Sequence, residues 1–171
     1  LFSRERDECA FTEIELAREG QGTHVRDARS GRSDMRLVKL TGSSFERFVR
    51  DGFTTLPETV DRPLFVHLDV GWRYGDLADA TGDRSDRYVD PLDVRDEVRR
   101  TFDETVSRSI QHLVHEIGRR ILARWPGLSE VSFEAQNRTW DAVLASDRDP
   151  TRKVHTDPRA TFGRIGLVLR R

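Results

Sequence analysis

A chain of 171 residues with a formal charge of −1 is long enough to bury one full core with something to spare. Charged residues make up 35% and apolar residues 36%, so the core is economical and the surface heavily charged, while recurring aromatic and branched residues exclude a disordered chain. The near-neutral balance removes the electrostatic case for a nucleic-acid partner. The single cysteine, Cys9, excludes an intramolecular disulfide framework and a cysteine-rich metal cluster. No apolar run approaches the roughly 20 residues that span a bilayer, so no membrane partner is expected. The chain starts at Leu1, not Met, and no signal-peptide pattern follows; it reads as a piece cut from something longer, of cytoplasmic location. Of 29 basic residues only Lys39 and Lys153 are lysine, a bias that reflects genome composition before chemistry.

Taken in chain order, residues 1–31 predict a strand pair. Ala10, Thr12, Ile14 and Leu16 alternate with the period of a half-buried strand. Glu19-Gly20-Gln21-Gly22 signals a turn, and residues 23–29 form the returning strand. Ser30-Gly31-Arg32-Ser33-Asp34 has linker composition, so the hairpin looks like the end of a preceding unit. A strand is expected over 35–40. Residues 43–49 carry helix-start chemistry, with Ser43 or Ser44 as cap, ended by Asp51-Gly52. Residues 54–58 form a loop. A longer strand spans 64–74, with Leu64, Val66, Leu68 and Val70 on one face and His67 and Asp69 on the other.

From Pro91 the period becomes helical. Val94, Val98, Phe102, Val106, Ile110, Leu113, Val114, Ile117, Ile121 and Leu122 form one stripe at steps of three and four. The span is too long for a typical globular helix, which predicts two helices broken near 106–109. Trp125-Pro126-Gly127 stops the second. Val131, Phe133 and Ala135 alternate as a strand, residues 145–158 read as loop, and Ile165, Leu167 and Leu169 mark a closing strand over 163–169. Two strands before the helices and two after predict an α+β unit: one antiparallel four-stranded sheet with helices packed on one face. Such a sheet has open edges that invite continuation from a partner.

Read singly, the chemistry-bearing segments are bland. His112 and His115 share a helix face but fit no zinc motif, so no metal is expected. There is no Gly-x-Ser-x-Gly elbow and no dinucleotide loop. Asn137-Arg138-Thr139-Trp140 reads as a turn after a strand, the stretch from Phe53 to Arg62 as a surface loop, and Ser109-Ile110-Gln111 as a helix break.

Read together, these segments converge. Phe45-Glu46-Arg47-Phe48-Val49-Arg50-Asp51-Gly52-Phe53-Thr54-Thr55-Leu56-Pro57-Glu58-Thr59-Val60-Asp61-Arg62 closely resembles the urate oxidase (uricase) signature, in which a phenylalanine precedes an Arg-Asp-x-Tyr/Phe-Thr-Thr-Leu run ending in Asp-Arg. Ser109-Ile110-Gln111 is similar to that family's Ser-Val-Gln segment. Residues 129–134 and Asn137 match its penultimate strand, and Thr156-Asp157-Pro158-Arg159 resembles the Thr-Glu-Pro-Arg of one bacterial branch. The resemblance covers the whole chain but only the second half of a family member.

The resemblance implies a T-fold arrangement: residues 1–31 as the closing hairpin of a first T-fold domain whose remainder is missing, and residues 34–171 as the second. It implies a homo-oligomer, a tetramer, with sites where subunits meet. It implies cofactor-free oxidation of urate by dioxygen to 5-hydroxyisourate and hydrogen peroxide, in purine breakdown, with neither metal nor flavin. Phe45 would stack on the purine, Arg62 would clamp one edge with its fork, and Gln111 would grip the other. The Ile110 main chain would add a donor, Leu56 would line the pocket, and Asn137 would sit over the ring where dioxygen or water attacks. Most family members have histidine two residues beyond this asparagine; Thr139 stands there instead, as in one bacterial branch, and orients water but takes no proton near neutral pH. The family's catalytic lysine and threonine belong to the first domain. The alternatives are a truncated, non-catalytic T-fold module that oligomerises or binds purines, and a T-fold enzyme of pterins or GTP, which would want a zinc or acidic anchor.

Overall fold

The computed structural model describes residues 8–55, 57–60, 62–81, 85–138, 142–149, 152–156 and 162–171. Its centre is an antiparallel sheet of five strands: β1 (Cys9–Glu19), β2 (Gly22–Lys39), β3 (Leu64–Tyr74), β4 (Leu128–Arg138) and β7 (Gly163–Arg170), in the order β1-β2-β3-β4-β7. Between β3 and β4 the chain forms a short helix α1 (Leu77–Ala80) and two long ones, α2 (Pro91–Glu104) and α3 (Ile110–Arg124). Each long helix has a side-chain cap: the Asp90 carboxylate accepts from the Leu92 N–H, and the Ser109 hydroxyl accepts from the His112 N–H. Pro91 occupies the first turn of α2, where its missing N–H costs nothing. The expected break between the helices falls at residues 105–109, and the 64–74 strand stands as expected.

Register decides which face is buried. Val66, Leu68, Val70 and Trp72 on β3 lie opposite Asn137, Ala135, Phe133 and Val131 on β4, and all of these but Asn137 are buried. On this face α2 and α3 lay down Val94, Val98, Phe102, Leu113, Val114, Ile117 and Ile121, which join the strands in one apolar core. Helix α3 rides close to the sheet because Gly118 faces it. A Cβ there would come within 2.7 Å of Leu169 and 2.9 Å of Phe133.

Three expectations are corrected. The strands expected over 23–29 and 35–40 are one strand, β2, and the linker composition of 30–34 marks a bulge in it, between Arg32 and Met35, with Asp34 at φ 59°. Pairing to β1 on one side and β3 on the other supplies hydrogen bonds that override the local turn preference. The sheet accordingly has five strands, one more than expected. No helix forms over 43–49; that stretch carries isolated bridges from Ser43 to Ser107 and from Phe45 to Thr59 and bends at Arg47, whose φ is 59°. The expected loop at 145–158 contains β6 (Lys153–His155), which pairs with β5 (Ala142–Ala145) just before it as a small separate sheet.

The turn at Gly20-Gln21 is a two-residue hairpin loop with Gly20 at φ 60°, a geometry that favours glycine. Because β2 meets β3 only from Arg29 onward, residues 14–19 and 22–28 project past the sheet as a two-stranded arm. Ile14 and Leu16 are 53% and 62% exposed on it.

One buried charge ties the two helices together. Glu97 is 1% exposed and accepts from Arg100 on its own helix and from Arg124 on α3 at 2.9 Å. Burial alone would push its carboxyl up, but the bonds and charges of Arg100 and Arg124 outweigh this and hold it below the usual glutamate range. A depressed carboxyl stabilises the fold above the unfolded-state value and loses that contribution as pH falls through the folded one. Glu97→Gln is therefore expected to cost about 1–3 kcal/mol at neutral pH, both arginines being about half exposed. Urea unfolding of parent and variant should converge as pH drops below the glutamate range; a gap independent of pH would remove the ion pair as its cause.

Candidate functional site

The route of the chain brings the predicted residues to one end of the sheet. β2 ends at Lys39, β3 begins at Leu64, and β4 ends beyond Asn137, all at the same end. Helix α3 hands over to β4 at the far end, so its N-terminus, with Ile110 and Gln111, also lies at this end. The 40–63 connection therefore passes beside the start of α3.

It is pinned there by backbone hydrogen bonds. Ser107 N–H donates to Gly42 O at 3.2 Å, Ser44 N–H to Ser107 O at 2.8 Å and Glu46 N–H to Arg108 O at 3.3 Å. Phe45 and Thr59 exchange N–H···O bonds of 2.8 and 2.9 Å, and Arg62 N–H donates to Ser43 O at 2.7 Å. The loop thus doubles back on itself and sets Arg62 beside Phe45. Farther along, the Asp51 carboxylate accepts from the Phe53 N–H at 2.9 Å and the Thr54 hydroxyl at 3.0 Å. These bonds hold its pKa below the ordinary aspartate value and explain structurally why an Asp is followed three residues later by Thr.

The Arg62 guanidinium lies 5.0 Å from the centre of the Phe45 ring. Its Nε is buried and makes no hydrogen bond to a described residue. Burial lowers its pKa from the usual arginine value, though an arginine stays charged regardless. A half-buried guanidinium against an aromatic face suits a flat anion with acceptor atoms on its rim. Phe45 stacks on Phe48 at 4.4 Å between ring centres, and Phe45, Phe48, Arg108, Ser109, Gln111 and His112 wall a cavity of about 340 Å³. A purine stacking on Phe45 would have to share or displace the Phe48 contact. The sequence reading passed over Phe48, although a second phenylalanine three residues after the first was the available signal.

Gln111 is exposed on the first turn of α3 and reaches the cavity; Ile110, just before it, is buried in the core. Asn137 is half-buried near the end of β4, opposite Val66 and Gly163, on the helix-covered face. The structure thus brings Phe45, Arg62, Ile110 and Gln111 around one loop–helix junction and places Asn137 at the same end of the sheet. Leu56 and Thr139 lie outside the described residues, as does most of the Thr156-Asp157-Pro158-Arg159 segment. Among the described residues no three His, Cys, Asp or Glu side chains are grouped to hold a metal ion, and no helix is long and apolar enough to cross a membrane.

A five-stranded antiparallel sheet with two long helices across one face, and a loop–helix junction at its end, defines an α+β module of the T-fold type. The uricase family model matches residues 28–166. The chain is 46% identical over 163 residues to a uricase of Halalkalicoccus jeotgali, covering 95% of this chain and 53% of that one. It is 41% identical over 164 residues to the uric acid degradation bifunctional protein of Bacillus sp. TB-90, covering 95% of this chain and 33% of the relative. The crystal structure of the Bacillus sp. TB-90 urate oxidase superposes with a TM-score of 0.90 at 38% identity, over all of this chain and 57% of that one. The chain belongs to the uricase family. It spans about half the length of the uricases it matches and a third of the bifunctional proteins.

Proposed function

We propose that the chain is the substrate-clamping half of a urate oxidase, which converts urate, dioxygen and water to 5-hydroxyisourate and hydrogen peroxide. The observation that carries this reading is the Arg62 guanidinium held against Phe45, its Nε buried with no hydrogen-bond partner among the described residues, beside a cavity that Gln111 also walls. Urate is a flat anion. Phe45 offers it a stacking face, Arg62 a two-pronged donor for one edge, and the Gln111 amide both a donor and an acceptor for the opposite edge. The Ile110 main chain adds a donor at the start of α3. Urate itself supplies two electrons to dioxygen, which leaves as peroxide, and water adds to the oxidised ring. Asn137 holds the dioxygen or the water above that ring, and Thr139 orients the water by its hydroxyl.

In the same reading residues 1–31 close a preceding T-fold domain and 34–171 form the second. The end of β1 pairing at Ser33, beside the β2 bulge, supports a boundary there, although β2 is paired with β3 from Arg29 onward. The preceding domain supplies the lysine and threonine that move protons, and copies assemble into a tetramer with sites between subunits. The exposed apolar positions of the projecting arm support such a neighbour. The protein works in the cytoplasm, where an exposed lone cysteine such as Cys9 stays reduced.

The experiment is a steady-state assay on the complete protein, following loss of urate and release of peroxide in equal amounts. Thr139→Val is expected to slow turnover by about tenfold or more while urate affinity changes little, and Thr139→Ser to be mild. A valine variant as fast as the parent would demote Thr139 to a turn residue; no urate loss from the complete parent protein would remove the proposed activity.

A further inference from the structure

We infer that Lys39 is a positioning residue of the pocket, setting the separation between its two walls. The inference rests on the urate reading above. Lys39 is one of two lysines among 29 basic residues and stands at the last position of β2. Its ammonium donates to Phe102 O and to Thr105 O, each at 2.7 Å, and lies 5.5 Å from the centre of the Phe102 ring. These carbonyls are at the C-terminal end of α2, where the helix dipole favours a cation.

The consequence is a closed ring of contacts. From Thr105 the chain runs two residues to Ser107, whose N–H donates to Gly42 O at 3.2 Å, and Gly42 is three residues beyond Lys39. Ser44 closes the ring a second time, its N–H and hydroxyl both donating to Ser107 O, at 2.8 and 3.2 Å. On one side this ring leads in a single step to Phe45, which faces Arg62. On the other it leads through the Ser109 cap to Ile110 and Gln111. The two walls come from segments more than 60 residues apart, and Lys39 is the charged strut holding the α2–α3 joint against the strand that leads to Phe45. Lys39 is not among the described residues that line the cavity, so it acts through geometry. Small displacements of clamping groups carry large penalties in binding and rate.

The test is calorimetric titration of urate into the complete protein without oxygen, with thermal unfolding of each variant beside it. Lys39→Met keeps the aliphatic stem and removes the donors; urate affinity is expected to fall about tenfold. Lys39→Arg, which keeps charge and donors, is expected to recover most of the loss. Ser44→Ala, which weakens the ring from its other side, is expected to cost severalfold in affinity. Glu97→Gln lowers stability within the same helix pair but lies outside the ring, and is expected to bind urate like the parent. Lys39→Met binding within about twofold of the parent, or Glu97→Gln losing as much affinity as Lys39→Met, overturns the inference. If Lys39→Met fails to fold, parent-like affinity in Ser44→Ala does the same. Undiminished affinity in Arg62→Lys would instead overturn the pocket reading and this inference with it.

Discussion

Exchange of Arg62 for lysine is expected to weaken urate binding by about a hundredfold while the unfolding midpoint barely moves. The side chain contributes little to the core. Its structural tie is the backbone N–H to Ser43 O, which lysine retains. What lysine lacks is the planar fork, since a single ammonium cannot offer two parallel N–H groups to one edge of a purine. Each lost bond to a charged ligand is worth about 1.5–3 kcal/mol. The charge near Phe45 is kept, so long-range attraction survives and the loss appears mainly as faster dissociation. Stopped-flow and calorimetric measurement of urate binding without oxygen checks this. Near-parental affinity would take Arg62 out of the site.

The 171-residue chain purified alone is expected to consume no urate, and to regain activity when co-expressed with the preceding half of a uricase. In the proposed reading this chain clamps the purine, while the groups that move protons come from another domain. The arm makes a second, physical argument. Ile14 and Leu16 are more than half exposed, and among the described residues the outer edge of β1 pairs with no strand. An unpaired edge with apolar side chains recruits other edges. Phe11 on the same strand is half-buried: its ring lies over Gly31 beneath the Arg29 guanidinium. The isolated chain should therefore elute as mixed oligomers in size-exclusion chromatography, and co-expression should give one defined species that releases peroxide. Vigorous urate oxidation by the isolated chain would show that the proton-transfer groups lie within these residues.

Some of this molecule was legible from local periodicity. The alternation over 64–74 and 163–170, and the three-and-four spacing from Val94 to Leu122, each report a face buried against something, whatever that something is. Strand β3 followed from its alternation, and the two-helix break from a stripe too long for one globular helix. The family signature named Phe45, Arg62, Gln111 and Asn137 as pocket residues, and the structure gathers the first three at one junction and puts Asn137 at the same end of the sheet.

Other features depended on partners distant in the chain. Residues 30–34 have turn composition, yet they run through β2, because residues 30–33 pair with β1, residues 30–32 pair also with β3, and the Asp34 N–H donates to the Asp69 carboxylate at 2.8 Å. Ser43 and Ser44 look like helix caps, but Ser44 bonds to Ser107 instead, 63 residues away. Nothing in the residues around Lys39 signals that its ammonium would meet the end of α2. The first two share a physical reason, the backbone itself finding a distant partner. Propensity and periodicity are properties of neighbouring side chains, whereas backbone pairing across a sheet or a loop is nearly independent of side-chain identity and is decided only when the whole chain has closed around its core.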